Sequence, residues 1–138
     1  MHQKKGNFLK FWLIMAVLMA VSACSPATVP EGYDEARVIQ QAETIVTKLT
    51  EGEYEAVVAS FQESLQGQLT AEGLETAILP EMDRVGPLLE IKDRETASTT
   101  VNGVDYALVV IIARHEHAQA TYTITMDQEG KLLGLYMR

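Results

Sequence analysis

The strongest constraint in this chain is a change of hydrophobic period at Gly86-Pro87. From residue 34 to that pair, apolar residues recur every three to four positions. After it, they fall toward every second position. Helices need the first spacing and strands the second, so a helical half must precede a strand half. That order is an α+β pattern. A length of 138 residues suits a single core.

In 34–50, Val38, Ala42, Ile45 and Leu49 form one stripe, with Ile39 and Val46 beside it. Asp34 supplies a cap or first-turn acid, and Gly52 a stop. Residues 54–65 repeat the pattern through Tyr54, Val57, Val58, Phe61 and Leu65, which predicts a second helix packed beside the first. Thr70 reads as the next N-cap, with Glu72 in the first turn and Leu69 and Leu74 at staple positions. This third helix is expected to be short or bent, because Pro80 removes a hydrogen bond and disfavours helix at Leu79.

In the strand half, 88–101 reads as one strand or a pair of short ones. Asn102-Gly103 is a hairpin turn, since both residues tolerate positive φ. Segment 104–113 is apolar on both faces: Tyr106, Leu108, Val110 and Ile112 on one, Ala107, Val109 and Ile111 on the other. Such a strand is expected to be central. In 119–127, Ala120, Tyr122, Ile124 and Met126 alternate with Thr121, Thr123 and Thr125. Gln128-Glu129-Gly130 turns the chain into a last strand at 131–137. The expected fold is two to three helices packed on a curved antiparallel sheet of about four strands.

Residues 1–23 differ in kind. Lys4, Lys5 and Lys10 precede the unbroken apolar run 11–21. Eleven helical residues rise about 16 Å, roughly half of a ~30 Å hydrocarbon core, which suits a secretory signal better than a membrane span. The run ends in Val21-Ser22-Ala23-Cys24, which resembles the bacterial lipobox. The resemblance implies diacylglyceryl transfer to the Cys24 thiol, cleavage before it, and acylation of the new amine. An ordinary signal peptide cut after Ala23 is the competing reading. Two or more acyl chains, at about 0.8 kcal/mol per buried methylene, anchor a protein stably. The expected organisation is a signal peptide at 1–23, a lipidated tether at 24–33 and one domain at 34–138, on the extracytoplasmic face of the membrane. Pro26, Pro30 and Gly32 keep the tether irregular.

Without the leader the chain holds 8 basic and 19 acidic residues. Such a surface repels nucleic acid and anionic headgroups. A single cysteine leaves no internal disulfide and no Cys-rich zinc site. No phosphate loop, nucleophile elbow or Ser–His–Asp set is visible, so no catalytic residue, metal or cofactor is expected. His115 and His117 would share a face on a strand and could share a metal. They fall where a hairpin turn is needed, however, and a solvated turn is the expected reading. Glu51, Glu53 and Glu55 read as a solvated helix junction.

Two stretches carry a family resemblance: 49–58 (Leu-Thr-Glu-Gly-Glu-Tyr-Glu-Ala-Val-Val) with Phe61 and 69–74, and the ending 122–135. They resemble the bacterial domain of unknown function 3887. The resemblance implies a cone-shaped fold like that of nuclear transport factor two, in secreted and lipid-anchored proteins. It carries over no catalytic residue. In such a cone, Tyr54, Tyr106 and Tyr122 would be candidates to line a pocket at the mouth, and the Thr121-Thr123-Thr125 stripe would be either an exposed face or a pairing surface for a second copy. The expected role is binding a small apolar ligand or an envelope protein partner, through the sheet side. The alternatives are a proton-transfer or lyase-type enzyme working in the cone interior, with Asp105 a candidate base, and a self-assembling accessory domain. A base at Asp105 would need burial to lift its pKa, and a strand end leaves it in water.

Overall fold

A computed structural model describes residues 28–138. Among them are four helices, α1 (Glu35–Thr50), α2 (Tyr54–Ala59), α3 (Glu63–Gln66) and α4 (Ala71–Val85), followed by four strands, β1 (Leu88–Val101), β2 (Val104–His115), β3 (Gln119–Met126) and β4 (Leu132–Met137). The architecture is α+β and cone-like, with helices laid against one face of a curved, open sheet.

Asp34 caps α1, accepting from the Arg37 amide at 3.3 Å. The helix buries Val38, Ala42, Ile45, Val46 and Leu49, the stripe its spacing requires. At Gly52 (φ 76°) the chain turns away, and its amide donates to the Leu49 carbonyl at 3.2 Å.

The single helix expected over 54–65 is instead two. The chain leaves α2 after Ala59, turns at Ser60 (φ −81°, ψ −12°) and continues through Phe61 and Gln62. There it makes a parallel bridge to β4, with the Leu132 amide donating to the Ser60 carbonyl and the Gln62 amide to the Leu132 carbonyl, both at 2.9 Å. Phe61 enters the core and Leu132 is fully buried. Joining helix to sheet edge at this point satisfies backbone groups on both sides while burying a phenyl ring.

The third predicted helix, α4, is neither short nor broken. Thr70 caps it through Oγ1, which accepts from the Gly73 amide at 3.0 Å, and it runs 15 residues straight through Pro80. Leu74, Ile78 and Val85 are buried along one side. Pro80 is exposed on the opposite side, where water can reach the carbonyl that its missing N–H leaves free. Apolar burial therefore outweighs the local cost of proline. Gly86, at φ 77° and ψ −171°, ends the helix.

The sheet is a meander in the order β1-β2-β3-β4, every pair antiparallel. Asn102 (φ 51°) and Gly103 (φ 79°) form the tight first turn. Two register shifts, between Leu88/Glu90 and Ile91/Asp93, irregularise β1 near its start. The inner face carries Ala107, Val109, Ile111 and Ala113 from β2, and Ala120, Tyr122, Ile124 and Met126 from β3, all fully buried. β2 is central in pairing, as expected. Its other face is only half-buried, at Tyr106, Leu108, Val110 and Ile112, and no second layer covers it among the described residues.

Residues 28–33 hold no helix or strand, yet they pack on the domain. Ser98 Oγ donates to the Thr28 carbonyl at 2.7 Å, and Val29 and Tyr33 rest against the core. The packed unit thus reaches back beyond residue 34. Val21, Ser22, Ala23 and Cys24 lie outside the described residues, as does the expected signal peptide.

Candidate functional site

Odd-numbered residues of β2 point inward from Ala107 onward. Continuing that alternation places His115 on the inner face, at the strand's last position. The expectation of a solvated turn is therefore wrong for His115, which is 2% exposed. Its Nδ1 lies 2.7 Å from the Gly86 carbonyl and its Nε2 lies 2.9 Å from the Tyr122 hydroxyl. A carbonyl can only accept, so Nδ1 must carry the proton. In the neutral ring Nε2 is then a bare acceptor, and the tyrosine hydroxyl donates to it. Both ring nitrogens are satisfied, and burial holds the Tyr122 phenol well above the usual tyrosine range.

His117 does lie in the turn and is exposed. Its amide donates to the Val85 carbonyl at 2.8 Å, and the Glu116 amide to the Pro87 carbonyl at 2.9 Å. The β2–β3 turn is thereby clamped to the α4–β1 connection. His115 is buried and His117 exposed, and among the described residues no three His, Cys, Asp or Glu side chains come together as a metal site would need.

The three candidate pocket tyrosines are not brought together. Tyr122 is fully buried in the core. Tyr106 lies half-buried on the outer face of β2, opposite Thr99. Tyr54 opens α2 beside Gly52 and Glu75; burial raises its phenol, helped by the charges of Glu75 and Asp83. Sequence reasoning missed Tyr33, whose hydroxyl reaches the carbonyls of Met126 (3.3 Å) and Asp105 (3.4 Å) and ties the segment before α1 to the sheet. Asp105 itself is exposed, with Thr100 Oγ1 donating to its carboxylate at 2.5 Å.

The interior of the cone is occupied by side chains. Ile45, Leu49, Ile111, Tyr122, Ile124, Met126 and Leu132 are fully buried there, and His115 is the one buried polar side chain among the described residues. A cleft of about 580 Å³ opens elsewhere, between α1, the end of α2 and the β3–β4 turn, and no strand residue lines it.

The outer sheet face has a different character. Its centre holds Leu108, Val110 and Ile112 of β2 beside Thr121, Thr123 and Thr125 of β3, with the cross-strand pairs Leu108–Thr125, Val110–Thr123 and Ile112–Thr121 in register. No charge interrupts it. Charged groups stand at the margin: Asp93 and Glu95 on β1, Arg114 ion-paired to Glu90 at 3.1 Å, and Arg138 after β4. Tyr136, 63% exposed, stands opposite Thr123.

Among known proteins, a family model described as "Protein of unknown function (DUF3887)" matches residues 42–135. A protein from Ruminococcus gnavus ATCC 29149, solved by NMR, is similar in structure, with a TM-score of 0.70 and 22% identity over 80% of this chain and 96% of that one. At that identity the likeness concerns the fold alone. No curated protein matches.

Proposed function

Because the chain belongs to the DUF3887 family of unknown function, we propose that it is a lipid-anchored binding domain of the extracytoplasmic membrane face, which docks a second copy of itself through the outer face of its sheet. The observation that carries this reading is the uncharged, half-apolar stripe of β2 and β3, uncovered among the described residues. Contiguous apolar surface of this kind marks interaction sites in soluble domains. A second copy suits it because a twofold axis along the strands sets Asp93 of one copy level with Arg138 of the other and Glu95 level with Tyr136, leaving the neutral centres in contact.

Anchoring rests on Val21-Ser22-Ala23-Cys24. Among the described residues no helix is long and apolar enough to cross a membrane. Assignment to the nuclear transport factor two superfamily belongs to the same proposal, supported by the helices lying against one face of a curved meander. The enzymatic alternative is less well supported. The inner face is lined by buried, mostly apolar side chains, and both His115 nitrogens are already engaged.

Two measurements test the proposal. Sedimentation of the full chain in a nonionic detergent should show a dimer that Val110→Glu converts to monomer with little change in melting temperature. A wild-type monomer overturns the docking reading. Intact mass of the membrane-extracted protein should exceed that of the unmodified chain from Cys24 by its acyl groups, and an unmodified mass overturns the anchor.

A further inference from the structure

The described residues carry eight cations against nineteen acids, so the placement of each cation is informative. Arg84, Arg94 and Arg114 are ion-paired to Glu81, Glu43 and Glu90. Of the five that make no ion pair among the described residues, three (Arg37, Lys48 and Lys131) line the one cleft between α1 and the β3–β4 turn.

The helix explains this concentration. Arg37, Gln41, Thr44 and Lys48 follow one another at i, i+4, i+7 and i+11, a single polar stripe flanking the buried face. The two acids within α1 are drawn to a different side: Glu43 pairs with Arg94, and Glu35 accepts from Thr96 Oγ1 at 2.8 Å, both partners on β1. The stripe is thereby left without a carboxylate of its own helix. Across the cleft, Gln41 Nε2 donates to the Gly130 carbonyl at 3.2 Å, and Lys131 Nζ touches the Ala59 carbonyl at 3.4 Å, which fixes the turn as the opposite wall. Two acids also line the cleft. Asp34 is engaged in capping α1, and Glu129 sits on the turn. Three cations against two acids leave a positive excess here, in a strongly acidic protein, and the N-terminal end of α1 adds to it.

We propose that this cleft binds a small polyvalent oxyanion, a molecule carrying at least two carboxylate or phosphate groups. Arg37 and Lys48 are eleven residues apart, about 16 Å along the helix axis. One small monovalent ion cannot engage both, whereas a ligand with separated anionic groups can, with the second Nε2 hydrogen of Gln41 supplying a neutral hydrogen bond between them. A volume of about 580 Å³ accommodates a small organic molecule. Overall negative charge opposes a long polyanion spread over the whole surface, and it does not oppose a compact one seated where the cations gather. Gly32 and Tyr33, eight and nine residues after Cys24, form one end of the cleft, so phosphates of a membrane surface are a second source of the same chemistry.

The test is titration calorimetry of the full chain in a nonionic detergent with citrate, with pyrophosphate and, separately, with phosphatidylglycerol vesicles against phosphatidylcholine vesicles. Saturable binding of citrate or pyrophosphate, weakened about tenfold or more in R37Q/K48Q/K131Q, supports a soluble ligand, since charge-assisted hydrogen bonds are worth about 1.5–3 kcal/mol each. Preference for phosphatidylglycerol vesicles alone, lost in the same variant, supports the headgroup source. K92Q/R138Q, which removes the two unpaired cations outside the cleft, should change either result less than about twofold. The single variant K131Q serves if the triple variant does not keep the wild-type melting temperature. No binding in any arm, or equal weakening by K92Q/R138Q, overturns the site.

Discussion

The Tyr122 hydroxyl donates to His115 Nε2 across 2.9 Å, in a part of the core where every other neighbour on the inner sheet face is apolar. The bond ties the inner face of β3 to the last residue of β2. Through His115 Nδ1 it also ties both to the Gly86 carbonyl, where α4 gives way to β1. Removing the hydroxyl leaves a buried nitrogen without a donor. Tyr122→Phe should therefore destabilise the domain by about 1–3 kcal/mol in urea unfolding. Replacing both partners, as in H115L/Y122F, should recover part of that loss, because no orphaned polar atom remains.

Tyr122 also governs alkaline stability. Burial raises its folded-state pKa above the ordinary value of 10.0. Below pH about 10 the phenol is protonated in both states and its full contribution is present. As pH rises further, the unfolded chain ionises first, so stability falls by about 1.4 kcal/mol per pH unit until the folded phenol ionises too. Tyr33 and Tyr54, also raised chiefly by burial, act in the same direction. Urea midpoints measured between pH 9 and 11 should fall, and Tyr122→Phe should flatten the fall without abolishing it.

Two glycines with nearly equal φ should respond very differently to alanine. Gly86 (φ 77°, ψ −171°) sits where an added Cβ would lie 2.7 Å from His117 Cδ2. Gly103 (φ 79°) has no atom within 4 Å of that position. Gly86→Ala should cost about 3 kcal/mol, from a backbone region nearly closed to other residues together with the contact. Gly103→Ala should cost about 1 kcal/mol, the strain of positive φ alone. Equal losses in thermal unfolding would contradict the clamp between this connection and the β2–β3 turn.

Pro80→Ala should stabilise the protein. The exposed Pro80 denies α4 one internal hydrogen bond, and an alanine N–H would restore it without disturbing Leu74, Ile78 or Val85. Proline inside a helix costs about 3 kcal/mol, and its restriction of the unfolded chain returns about 0.4–1 kcal/mol. A net gain of about 2 kcal/mol is expected in chemical denaturation.

Local periodicity and turn chemistry were legible wherever they act alone. The caps at Asp34 and Thr70, the Asn102-Gly103 turn and the alternating faces of β3 depend on a few neighbouring residues, and each formed as those residues dictate. Legibility failed where distant segments competed. Phe61 fits the helical stripe of 54–65, and only Leu132, some seventy residues later, draws it out into an extended bridge. Pro80 argues locally for a break, and burial along the opposite side of α4 overrides it. His115 was masked by its nearness to a turn, although the alternation of β2 pointed it inward.

By itself, the sequence determined the α+β order, the meander and the inward-facing core positions, because hydrophobic period is a property of adjacent residues. The cationic cleft, the buried histidine–tyrosine bond and the uncovered outer sheet face were decided only by tertiary structure. Each depends on which side chains from separate elements meet, and on which surfaces are left without a neighbour, neither of which is written in any short stretch of chain.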